Sequence, residues 1–82
     1  MPHPEAVRPV VLVVEDEFLI RIYAAEIIEA AGYDVIEAVN ADHAIAILES
    51  RRDIRVVFTD IQLPGHAIRH RWPPVHIVAT SA

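Results

Sequence analysis

Two short apolar runs in this chain end on acids. Val10-Val11-Leu12-Val13-Val14 leads straight into Glu15-Asp16-Glu17, and Val56-Val57-Phe58-Thr59 leads into Asp60. An unbroken, largely β-branched run has no polar face to turn to water. It reads as a strand covered on both faces, the habit of parallel sheets in α/β proteins. Right-handed crossovers between parallel strands put all the carboxyl ends on one edge. If the two runs are neighbours, Glu15, Asp16 and Asp60 meet in one cleft at that edge, where open α/β sheets bind their ligands.

The intervening segments supply crossovers. From Glu17 to Ala31, Leu19, Ile20, Tyr23, Ile27 and Ala31 fall near helical spacing, with Arg21, Glu26 and Glu29 largely opposite. Gly32 is expected to stop this helix. Asp34 to Val39 predicts a shorter, more polar strand nearer an edge. Asn40 is the expected N-cap of a helix from Ala41 to about Arg52, with Ala44, Ile45 and Leu48 inward and Arg51-Arg52 at the end its dipole favours for cations. Ile54 to Thr59 is a third strand and Pro64-Gly65 a turn. Ala67 to Trp72 is expected to make one or two helical turns, broken by Pro73-Pro74, and Val75 to Thr80 a fourth strand. The order is βαβαβ(α)β. Residues 1–9, with three prolines, are expected to be a flexible leader, and 10–82 a single domain.

Composition narrows the partners. Net charge is −5, which argues against nucleic acid or an anionic membrane as direct partners. Without cysteine there is neither a disulfide nor a thiolate metal site, in keeping with a cytoplasmic protein. The apolar stretches fall far below the roughly 20 residues of a membrane span. His66 and His70 are four apart, but the five histidines show no metal spacing, and a solvated helix end is the simpler reading.

Clustered carboxylates raise one another's pKa, and a divalent cation removes that penalty. Mg²⁺ prefers oxygen ligands and keeps several waters, taking one or two carboxylates. Asp16 and Asp60 suit direct coordination, Glu15 acts directly or through water, and the Gln62 backbone carbonyl is a further oxygen. A cation beside a carboxylate permits phosphoryl transfer, with Asp60 as nucleophile. Thr80 is placed to hydrogen-bond a phosphoryl oxygen and to shift with phosphorylation state. The plainer alternatives are a polar strand end for Asp60, helix-terminal acids for Glu15 and Asp16, an ordinary strand residue for Thr80, and a solvated first-turn acid for Glu17.

Four segments, VVLVVEDE (10–17), AGYDVIEAVNADHAIAIL (31–48), VVFTDIQLPG (56–65) and PPVHIVATSA (73–82), together resemble the receiver (CheY-like) domain of two-component response regulators. The resemblance implies a flavodoxin-like parallel sheet with helices on both faces, incomplete at about four of the family's five strands. It implies a sensor histidine kinase or phosphotransfer protein as donor and Mg²⁺ as cofactor. It makes Asp60 the phospho-acceptor, Glu15 and Asp16 the acidic metal-binding pair, and Thr80 the switch hydroxyl. The Gln62 side chain falls where the family modulates dephosphorylation. Such modules catalyse only their own phosphorylation and dephosphorylation.

The chain also departs from the family. It stops after the fourth strand, so the family's fifth strand, with its switch aromatic and following lysine, is missing, and there is no lysine anywhere. Only seven residues separate Gly65 from Pro73, and as helix they rise about 10 Å against the roughly 17–20 Å of a strand, so the third crossover is short, by deletion or by a stretch left out of the sequence. An open edge at the fourth strand and a bare patch at Leu19, Ile20 and Tyr23 are expected. These departures keep a second reading open: a non-phosphorylatable truncated receiver acting as an interaction or dimerisation module, through a homodimer or strand-swapped dimer. An aspartyl-nucleophile phosphatase is disfavoured, because the first strand ends in Glu-Asp-Glu rather than Asp-x-Asp.

Overall fold

The apolar run Val10–Val14 forms the central strand β1, buried along its whole length. The computed structural model describes residues 8–60 and 74–79. After β1 come α1 (Phe18–Ala30), β2 (Asp34–Ala38), α2 (Ala41–Ser50), β3 (Ile54–Thr59) and β4 (His76–Ala79). The strands make one sheet in the order β2-β1-β3-β4, every pairing parallel. This is the expected incomplete flavodoxin-like sheet. The Pro64-Gly65 turn, the helical turns over 67–72 and leader residues 1–7 lie outside the described residues.

The expected stop of α1 and the expected start of α2 have physical counterparts. Gly32 adopts φ 104° just past α1. The Gly32 amide donates to the Glu29 carbonyl and the Tyr33 amide to that of Ile28, the paired bonds of a Schellman stop. At the start of α2, Asn40 Oδ1 accepts the His43 amide at 2.8 Å, while His43 Nδ1 accepts the Val39 amide at 3.3 Å. The Asn40 side chain satisfies a donor that the first turn leaves without a helical partner, and the His43 ring ties the turn back to the residue before the cap. α2 ends at Ser50 rather than Arg52. Arg51 takes an extended conformation and pairs with Asp53 through both ends of its guanidinium. Arg8 donates to the carbonyls of Glu29, Gly32 and Tyr33 and pairs with Asp34, so it ties the approach to β1 to the end of α1.

The two faces of the sheet are covered unequally. Val10, Leu12, Val14, Ala38, Ile54 and Val57 pack with Ala44 and Leu48 of α2 into the core, and Ile36, Ile47 and Val75 border it. Ile54 and Val57 are three residues apart, yet both belong to this cluster. The register explains it: Val10 pairs with Ile54 but Val11 with Val56, so Arg55 is an extra residue that resets the alternation. On the other face α1 docks with Ala25 buried and Ile22, Ala24 and Ile28 half-buried. Leu19, Ile20, Tyr23 and Ile27 stay exposed, as expected for the first three. β4 borders the sheet, and His76, Ile77, Val78 and Ala79 are all exposed.

Candidate functional site

β1 and β3 are direct neighbours, and their last paired residues are Val14 and Thr59. The next residue on each strand is therefore an acid, Glu15 on one and Asp60 on the other, side by side at the carboxyl edge. The Glu15 amide still donates to the Ala38 carbonyl of β2 at 3.0 Å, which makes it the last rung of the sheet. Glu15 is buried, whereas Asp16 and Asp60 are exposed. Glu15 lies within interaction range of both Asp16 and Asp60.

The electrostatics record that convergence. The Glu17 amide donates to Glu15 Oε2 at 3.0 Å and favours its charged form. Burial, the Asp16 carboxylate, and both the charge and the hydrogen-bonding of Asp60 act the other way and prevail, so the Glu15 carboxyl titrates above its ordinary value of 4.5. An acid crowded by two others in this way is short of positive charge.

The donors fit Mg²⁺ in kind, being hard carboxylate oxygens at a solvent-accessible edge. Among the described residues, no group of three or more His, Cys, Asp or Glu side chains is arranged to enclose a metal ion. Mg²⁺ needs no such cage, since it keeps waters beside one or two carboxylates. Gln62 and Thr80, the other two expected site residues, lie outside the described residues. Glu17 is the N-cap residue of α1; it is exposed, and its side chain makes no capping bond.

Beside the acids, Val13, Ile20, Tyr23, Ile27 and Phe58 line an open apolar cavity of about 380 Å³, with Glu15 and Asp60 also in its lining. The cavity lies on the α1 face, where the large apolar residues are exposed.

Arg21 was expected on the polar side of α1, with Glu26 and Glu29. Instead its side chain is only 12% exposed. Nη1 donates to the Glu15 carbonyl at 2.9 Å, Nε to Glu37 Oε1 at 3.0 Å, and the guanidinium lies 5.6 Å from the Phe18 ring centre. Helical periodicity marks Arg21 only as polar. The available signal was its position: a cation near the start of a helix opposes the dipole and so needs another reason to be there.

Comparison with known proteins agrees with this geometry. The family model described as "Response regulator receiver domain" matches residues 11–82. Aerobic respiration control protein ArcA of Escherichia coli strain K12 is 47% identical over 57 residues, covering 70% of this chain and 24% of that protein. The same protein from the O157:H7 strain matches equally. The chain thus spans about a quarter of the length of these curated relatives. Among solved structures, a chain of the crystal structure of the P1 domain of CheA3 in complex with CheY6 from R. sphaeroides superposes with a TM-score of 0.63 at 26% identity, covering 77% of this chain and 54% of that one.

Proposed function

This chain belongs to the response regulator receiver domain family of two-component systems, and from that premise we propose that it is a phosphorylation-controlled switch that accepts a phosphoryl group on Asp60. The observation that carries the reading is the β1–β3 register, which sets Glu15 beside Asp60, together with the crowding that lifts the Glu15 carboxyl above its ordinary range.

The exposed Asp60 carboxylate, at the end of β3, attacks the phosphorus of a phosphohistidine on a sensor kinase or phosphotransfer protein. A P–O bond forms to an Asp60 oxygen as the P–N bond breaks, and the leaving imidazole takes up a proton. Asp16 and Asp60 are the direct ligands of Mg²⁺ in this proposal, and Glu15 supports them directly or through water. When bound, the ion neutralises charge on the phosphoryl oxygens. Glu15 cannot swing freely, because the Glu17 amide holds one of its oxygens. The Gln62 carbonyl as a further ligand and the Thr80 hydroxyl as a phosphoryl hydrogen-bond donor complete the proposal.

The test is incubation of the full chain with Mg²⁺ and acetyl phosphate, followed by intact-mass analysis. One phosphoryl adduct is expected, absent in Asp60→Asn and absent with EDTA. A folded wild-type chain that takes no label, and shows no Mg²⁺ affinity, would instead support the interaction-module reading. Turnover of an external phosphoester would point to a phosphatase.

A further inference from the structure

A guanidinium that is largely removed from water needs several acceptors to offset desolvation. Arg21 finds them around the acidic turn that leaves β1. Four hydrogen bonds hold this turn: Glu15 amide to Ala38 carbonyl, Glu17 amide to Glu15 Oε2, Arg21 amide to Glu17 carbonyl, and Arg21 Nη1 to Glu15 carbonyl. Two of the four come from Arg21. Its side chain also reaches across to β2, where Nε meets Glu37. The fork therefore spans the ends of two strands and the start of α1, behind the carboxylates and not among them.

We infer that Arg21 is a positioning residue for the cation site: its guanidinium, held between the Glu15 carbonyl and the Glu37 carboxylate, sets the direction in which Glu15 and Asp16 leave β1 to face Asp60. This inference rests on the proposed reading of the acidic edge. It adds a residue that touches neither cation nor phosphoryl group. Outer partners of this kind orient the ligands, and their loss typically costs about 10–100-fold in metal affinity. Lysine cannot replace it, because a single ammonium lacks the fork needed to meet both acceptors in fixed geometry.

The test uses the full chain with Mn²⁺ as probe. Its affinity is read from paramagnetic broadening of the Asp16 and Asp60 amide signals in wild type, Arg21→Met, Arg21→Lys and Glu37→Gln. Solvent exchange of the Glu17 amide is measured without metal, with the Val57 amide of β3 as the control for folding. Arg21→Met is expected to weaken Mn²⁺ binding about 10–100-fold and to speed Glu17 exchange roughly tenfold, with Val57 protection retained. Arg21→Lys is expected to recover little of either, and Glu37→Gln to fall between. If Arg21→Met unfolds the chain, Arg21→Lys and Glu37→Gln decide the matter by the same two readouts. Unchanged Mn²⁺ affinity and unchanged Glu17 exchange in folded variants would overturn the inference. A wild-type chain without Mn²⁺ affinity would remove the acceptor-site reading instead, and Glu17 exchange would then decide alone whether Arg21 orients the turn.

Discussion

Truncating Leu48 and truncating Leu19 remove the same atoms with very different consequences. Leu48 of α2 is wholly buried in the core, whereas Leu19 of α1 is 75% exposed. Leu48→Ala loses the transfer free energy of its side chain and leaves a cavity, about 2–5 kcal/mol. Leu19→Ala loses only the covered quarter of a side chain whose full burial is worth about 1.5–3 kcal/mol, which comes to roughly 0.4–0.8 kcal/mol. At roughly 0.05–0.15 kcal/mol per residue, a chain of 82 residues has about 4–12 kcal/mol in all, so the first change removes a large share and the second a small one. Equilibrium urea unfolding reads both. With an m-value of about 2 kcal/mol/M, the midpoint falls by about 1–2.5 M for Leu48→Ala and by about 0.2–0.4 M for Leu19→Ala. Equal losses, or a loss above about 2 kcal/mol for Leu19→Ala, would mean that the outer face of α1 is covered in solution, against the exposure of Leu19.

Other changes probe the acidic edge and the frame that holds it. The Glu15 carboxyl titrates above its ordinary value of 4.5, so the folded chain holds that proton more tightly than the unfolded one. Its stabilising contribution is complete below pH 4.5 and is lost as pH rises through the folded value. Glu15→Gln, which keeps an acceptor for the Glu17 amide, should therefore be the more stable protein at neutral pH without metal. Melts at pH 7.5 and pH 4 should show that advantage shrinking at the lower pH, and a constant difference would contradict the crowding by Asp16 and Asp60. Asn40→Ala removes the acceptor for the His43 amide and should cost about 0.5–2 kcal/mol by urea unfolding, whereas Asn40→Asp should cost little.

Much of the site was legible because its signals are local. An acid at the end of an apolar run is a strand-end acid whatever the rest of the fold does, and the sequence places Glu15, Asp16 and Asp60 at the strand ends in that way. Gly32 and Asn40 were legible for the same reason, since a helix stop and a helix cap depend on a few consecutive residues. Arg21 was not, because a helical repeat records polarity and not which polar residue turns inward. The α1 face shows the same limit. Spacing marks its large apolar residues, but the helix docks through Ala24, Ala25 and Ile28, whose small or half-covered side chains let it approach the sheet.

Chain order and composition by themselves determined the element types, the parallel sheet they imply and the carboxyl edge on which the acids fall. Only the folded molecule decided that β1 and β3 lie side by side in matching register, that Arg55 shifts the alternation within β3, and that a guanidinium from α1 braces the acidic turn. The reason is range. Periodicity and capping are set within a turn or two of chain, whereas strand adjacency, register and side-chain clamps join residues far apart in sequence, which are selected by the packing of the whole sheet.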